Sequence, residues 1–118
     1  MDGMRCLYLH QNKIPRMENL LTFTKLAVLN LSHNNIRVVE GLENCMELNT
    51  LDLSHNEISS ITDCDILTTL PQLHHLDLKS NKITDGDNIV PFVAQLPEII
   101  SIYFGQNPCV RMISNLRK

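Results

Sequence analysis

The sequence predicts an α/β solenoid, a right-handed arc of short repeats with a parallel β-sheet on its concave face and 3₁₀ turns and short α-helices on its convex side. Two observations lead there. LAVLNLSHNNI, residues 26–36, and LNTLDLSHNEI, residues 48–58, place leucines, an asparagine and a closing isoleucine at the same offsets, 22 residues apart. Self-similarity at such a period marks a stack of small units, none of which buries its apolar face alone. The second observation is composition: the chain is 43% hydrophobic but 4% aromatic, with no Trp. Its core must be filled by Leu and Ile, which suits thin repeated layers. A length of 118 residues suits one domain.

Carried outward, the frame LxxLxLxxNxI fits five times. The copies begin with Met4, Leu7, Leu9, Asn12, Ile14 and continue with Leu26, Leu29, Leu31, Asn34, Ile36. Leu48, Leu51, Leu53, Asn56, Ile58 and Leu73, Leu76, Leu78, Asn81, Ile83 follow, and a degenerate fifth has Ile99, Ile102, Phe104, Asn107 and Cys109. The asparagines are spaced by 22, 22, 25 and 26 residues, so the repeats lengthen toward the C-terminus.

In LNLSHN apolar and polar residues alternate at period two, so Leu29 and Leu31 face one side of a short strand and Asn30 the other. The rest of each repeat returns the chain to the start of the next strand, which makes successive strands parallel. The asparagine falls where the chain leaves the strand and turns inward, exposing backbone groups that must be paired. An amide side chain carries both donors and acceptors. Asn12, Asn34, Asn56, Asn81 and Asn107 are therefore expected to form a structural ladder.

The first two connections keep a period of three, Ile14, Met17, Leu20, Phe23, Leu26 and then Ile36, Val39, Leu42, Cys45, Leu48. Three is the spacing of a 3₁₀ turn, so tight turns are expected. Residues 61–73 gain three residues. Thr62, Asp63 or Asp65 serves as an N-cap before Ile66, Leu67 and Leu70, which predicts a short α-helix stopped before Pro71. In residues 84–99 a second helix starts between Asn88 and Pro91, because proline is tolerated only in the first turn, and ends near Pro97.

Through these motifs the whole chain resembles the leucine-rich repeat family. NNIRVVEGLENCMELNTLDLSHNEI is similar to the short-repeat subclass typified by a regulatory subunit of protein phosphatase 1. MRCLYLHQNKIPRMENL, LDLKSNKITDGDNIVPFVAQLPEI and GQNPCVRMISNLRK most resemble the leucine-rich axonemal dynein assembly factors of cilia and flagella. The resemblance implies a non-catalytic protein-binding scaffold, in the cytoplasm or a cilium or flagellum, that assembles or anchors axonemal dynein. Dynein subunits or assembly chaperones are the implied partners, and regulation of a protein phosphatase is the alternative. Solenoids need polar end caps. Residues 1–118 open inside a repeat and stop after Lys118, so they are expected to be a single domain of about five repeats, a fragment without complete caps. Self-association through an open first or last strand is expected with it.

The frame also places the concave face. Its central positions are Tyr8, Asn30, Asp52, Asp77 and Tyr103, preceded by Cys6, Val28, Thr50, His75 and Ser101 and followed by His10, Ser32, Ser54, Lys79 and Gly105. Tyr8 and Tyr103 are the leading contact candidates, since aromatics dominate interface energies. His10, Asn30, Asp52, His75, Asp77 and Lys79 complete the candidate set, and the carboxylates select a partner with basic residues. Asp52 and Asp77 are neighbours, the pattern of an acid and base pair, yet an open face leaves them ordinary solvated carboxylates.

Other chemistry finds little support. A net charge of −3 with scattered Lys and Arg lacks the footprint of a nucleic-acid binder. No apolar run reaches the roughly 20 residues of a membrane span, and MDGMRC lacks a signal-peptide core. Cys6, Cys45, Cys64 and Cys109 show no CxxC pairing and read as thiols in a reducing compartment. His33 and His55 occupy one place in adjacent repeats, but zinc wants three or four ligands. TDGDN, residues 84–88, departs from the EF-hand order and reads as helix capping. No phosphate-cradling loop or nucleophile motif is present, and no cofactor or enzyme activity is implied.

Overall fold

A computed structural model describes residues 5–9, 11, 13, 17 and 23–108. Five three-residue strands, β1 (Cys6–Tyr8), β2 (Val28–Asn30), β3 (Thr50–Asp52), β4 (His75–Asp77) and β5 (Ser101–Tyr103), form one sheet in chain order. All neighbours pair in parallel, and the register Leu7↔Leu29↔Leu51↔Leu76↔Ile102 stacks one apolar residue per layer. Leu29, Leu51 and Leu76 are fully buried. The backbone ladder runs on past the strands: Leu31 N–H donates to Asp52 O at 2.8 Å and His33 N–H to Ser54 O at 3.0 Å.

The chain then bends sharply. Gln11, His33, His55, Ser80 and Gln106, each just before a frame asparagine, are all left-handed, with φ between 57° and 61°. That conformation crowds Cβ and disfavours β-branched residues. None of the five is β-branched, a signal the sequence carries at each of these positions. The asparagines pair the backbone groups that the bend leaves open. Asn56 Nδ2 donates to Leu53 O in its own repeat and to Leu31 O in the preceding one, both at 3.0 Å, and its Oδ1 accepts from Ile36 N–H at 3.0 Å. Asn81 and Asn107 repeat this pattern one and two layers on. Asn34 donates to Leu31 O and Leu9 O. Asn12, Met4, Ile14 and Cys109 lie outside the described residues.

On the convex side the period of three produces isolated turns. Cys45 N–H bonds Leu42 O at 3.0 Å and Leu48 N–H bonds Cys45 O at 3.1 Å, which turns Val39, Leu42, Cys45 and Leu48 inward. Residues Ile61–Thr69 form a nine-residue 3₁₀ helix, not the α-helix expected, and its cap is Ser60, whose Oγ accepts from Thr62 N–H at 3.2 Å. Ile61, Cys64, Leu67 and Leu70 are buried, a spacing of three that places one residue per 3₁₀ turn against the layer beneath. Ile66, counted toward an α-helical face, is only half-buried.

The fourth connection opens with a 3₁₀ turn, Gly86–Asn88, and continues as helix α1, Ile89–Ala94, which buries Ile89 and Phe92. Pro91 is its third residue, where the missing N–H costs nothing, and the helix is capped at Gln95, two residues short of Pro97. Cys45 and Cys64 are core thiols and Cys6 is exposed. Burial pushes the Cys64 thiol far above the ordinary range, reinforced by Asp63, Asp65 and Asp85. Among the described residues no helix is long and apolar enough to cross a membrane.

Candidate protein-binding face

The sheet presents one bare side. Its central row, in strand register, is Tyr8, Asn30, Asp52, Asp77, Tyr103, and its flanking row is Cys6, Val28, Thr50, His75, Ser101. Tyr8 and Tyr103, on the two edge strands, are 59% and 55% exposed, so both offer apolar area to a partner. His75 and Lys79 are also exposed, while His10 lies outside the described residues. His75 Nδ1 lies 2.8 Å from Ser101 Oγ, a cross-strand pair on the open face.

The three residues between the tyrosines also have a structural job. Asn30 Oδ1 accepts from Ser32 N–H at 3.0 Å and Ser32 Oγ at 2.8 Å, and Asp52 Oδ1 accepts from Ser54 N–H and Oγ at the same distances. Asp77 Oδ1 accepts from Lys79 N–H at 3.0 Å. Each side chain thereby closes its own strand end in an Asx turn, and Ser32 and Ser54 are buried rather than displayed. The signal in the sequence is the Asx-x-Ser spacing of NLS and DLS, which the strand alternation masked.

Asp52 and Asp77 are thus each bonded into the turn at the end of their own strand. Both are half-buried. Burial pushes the Asp77 carboxyl up and the neighbouring Asp52 charge adds to that, against the Lys79 N–H and the Lys79 and His55 charges, and the net direction is upward. Lys79 Nζ stands 3.9 Å from Asp77 Oδ2 with half of its side chain exposed, a pair worth little. Thr50, Leu51, Asp52, His75, Leu76, Asp77 and Tyr103 line a shallow depression of about 190 Å³ on this half of the face.

His33 and His55 stack at the rim, ring centroids 4.1 Å apart and planes within 9°. Parallel rings direct their in-plane lone pairs side by side, not toward one point, which is a stacking geometry and not a chelating one. Among the described residues no three His, Cys, Asp or Glu side chains converge as metal ligands.

The family model for leucine-rich repeats in two copies matches residues 24–66 and again 47–89, together more than half of the chain. The chain belongs to the leucine-rich repeat family, whose domains are in general protein-interaction scaffolds. Solved structures agree with the fold. Internalin C2 from Listeria monocytogenes is 32% identical with a TM-score of 0.70, covering 83% of this chain and 40% of its own. A chain of the Drosophila melanogaster SNF/U2A' complex is 25% identical with a TM-score of 0.73, covering 86% of this chain and 60% of its own. The leucine-rich repeat domain of APL1B, 24% identical with a TM-score of 0.71, covers 85% of this chain and 30% of its own. This chain thus spans less than two thirds of each of these relatives. No curated protein matches by sequence.

Proposed function

We propose that the chain is a protein-binding scaffold that engages its partner through the concave sheet. The observation that carries this reading is the pair of exposed tyrosines, Tyr8 and Tyr103, at the two ends of a sheet row that nothing covers among the described residues. Rigid aromatics on a preformed sheet lose little entropy on binding. Asp52, Asp77, His75 and Lys79 add charge selectivity, which acts on partner choice more than on raw affinity. The likeness to a chain of the SNF/U2A' complex supports a partner that is itself a protein.

The finer assignment is assembly or anchoring of axonemal dynein in the cytoplasm of a ciliated or flagellated cell. The motif resemblance in residues 4–20, 76–99 and 105–118 supports it. Affinity capture from flagellated cells, with the parent chain and a Tyr8→Ala/Tyr103→Ala variant side by side, tests both levels. Dynein subunits or assembly chaperones retained by the parent and lost by the variant are the expected result. Recovery of phosphatase without dynein components overturns the finer assignment, and equal recovery by both baits overturns the concave face as the binding surface.

A further inference from the structure

The depression over β3, β4 and β5 is where shape, charge and an exposed ring coincide. Leu51 and Leu76 belong to its lining, and Asp52, Asp77 and Tyr103 stand in consecutive register positions around it. Neighbouring strands are about 4.8 Å apart, so two carboxylates sit within one strand spacing of each other. Oδ1 of each is committed to its own Asx turn. Lys79 Nζ is 3.9 Å from Asp77 Oδ2 and half-exposed, so it offsets the paired carboxylates only weakly. Burial first, and the Asp52 charge after it, push the Asp77 carboxyl up.

At about 190 Å³ the space is smaller than the roughly 300–1,000 Å³ of pockets for drug-sized ligands, and suits a single long side chain. An acidic face repels phosphates, so charge excludes nucleic acid and an anionic membrane surface as occupants. Charge complementarity with the two carboxylates favours a cationic side chain, and the geometry selects among cations. A planar guanidinium offers two edges to two neighbouring carboxylates, while an ammonium is a single point. A guanidinium also stacks on an aromatic ring, and Tyr103 is 55% exposed at the edge of the depression.

We infer that this depression receives an arginine side chain of the partner protein, its guanidinium bridging Asp52 and Asp77 against the Tyr103 ring. The inference rests on the concave face being the binding surface. It narrows the partner to one that presents an arginine on a segment able to enter the arc.

The test is an NMR titration of the full ¹⁵N-labelled chain with Nα-acetyl-arginine amide, beside the lysine amide and the isosteric, uncharged citrulline amide. Saturable shifts at the amides of Thr50, Asp77 and Tyr103 are expected with arginine, with apparent affinity at least tenfold lower for citrulline and measurably lower for lysine. Asp52→Asn/Asp77→Asn should weaken arginine binding at least tenfold. That variant keeps its Asx turns, because Asn30 already makes the same bonds in β2, and its own amide spectrum verifies the fold. Tyr103→Ala should weaken binding where Tyr103→Phe does not. No saturable shift, equal response to citrulline or lysine, or unaltered affinity in the double variant overturns the inference. Those outcomes, alongside tyrosine-dependent capture, leave the scaffold reading standing, whereas tyrosine-independent capture removes the scaffold reading first.

Discussion

Asp85 holds Ile61 across a repeat boundary: its Oδ1 accepts from the Ile61 N–H at 2.9 Å. Its Oδ2 accepts from Ser60 Oγ at 2.7 Å and from Asn88 Nδ2 at 3.0 Å. The N–H groups that open a helix have no partner within it, and here a carboxylate from the following repeat supplies one for the 3₁₀ helix Ile61–Thr69. Asp85 of the TDGDN segment thus caps the helix of the preceding repeat, while within its own turn its side chain accepts from the Asn88 side-chain amide and makes no cap bond.

Asp85→Ala should therefore cost about 1 to 2 kcal/mol, the usual loss of a capping side chain. Burial alone would push the Asp85 carboxyl up, but the bonds from Asn88, Ile61 N–H and Ser60 outweigh it and hold it below its ordinary value. A lowered folded-state value stabilises above the unfolded value of about 3.9 and is lost as pH falls through the folded value. Urea midpoints of parent and variant should differ at pH 7 and approach each other in strong acid. A gap that persists undiminished there would rule out the carboxylate as its source.

Asp77 has the opposite sign. Its folded-state carboxyl is raised, so the folded chain holds the proton more tightly, and stability is lost as pH climbs from the unfolded to the folded value. Asp77→Asn keeps an acceptor for Lys79 N–H and removes the charge beside Asp52. The variant should be more stable than the parent at pH 7 and match it once both carboxyls are protonated. Denaturation midpoints at the two pH extremes check this, and a less stable variant at pH 7 contradicts it.

Asn56→Ala should cost on the order of 1 to 3 kcal/mol, because Leu31 O, Leu53 O and Ile36 N–H lose their side-chain partner inside the core. A melting curve unchanged by the substitution would show that those groups find other partners.

Gly41→Ala should destabilise by more than about 1 kcal/mol. Gly41 has φ +76°, and a Cβ there would stand 2.7 Å from the Met17 carbonyl oxygen of the preceding repeat. Both the left-handed backbone and the close approach act against any side chain. An urea midpoint at or above that of the parent would refute the close contact.

Much of the fold was legible because the repeat writes each structural position several times. Leu29, Leu51 and Leu76 recur at one offset, and the frame aligned every strand of the sheet in the register observed. The period of three in Val39, Leu42 and Cys45 announced tight convex turns for the same reason. The candidate face followed from alternation, which put Tyr8 and Tyr103 outward. Alternation says which way a side chain leaves the strand, however, and not what it bonds. It displayed Ser32 and Ser54, which the Asx turns of Asn30 and Asp52 bury.

The sequence by itself determined the repeat frame, the order and register of the strands and the residues that fill each layer, because those depend on a period that local side-chain chemistry reveals. Only the tertiary structure decided the 3₁₀ geometry of Ile61–Thr69, the bond from Asp85 to the preceding repeat, the stacking of His33 on His55 and the depression between Asp52, Asp77 and Tyr103. The last three join residues about 22 to 50 positions apart that meet only when layers stack at strand spacing. A linear pattern records that the layers repeat, and the packed arc records which atoms of one layer reach the next.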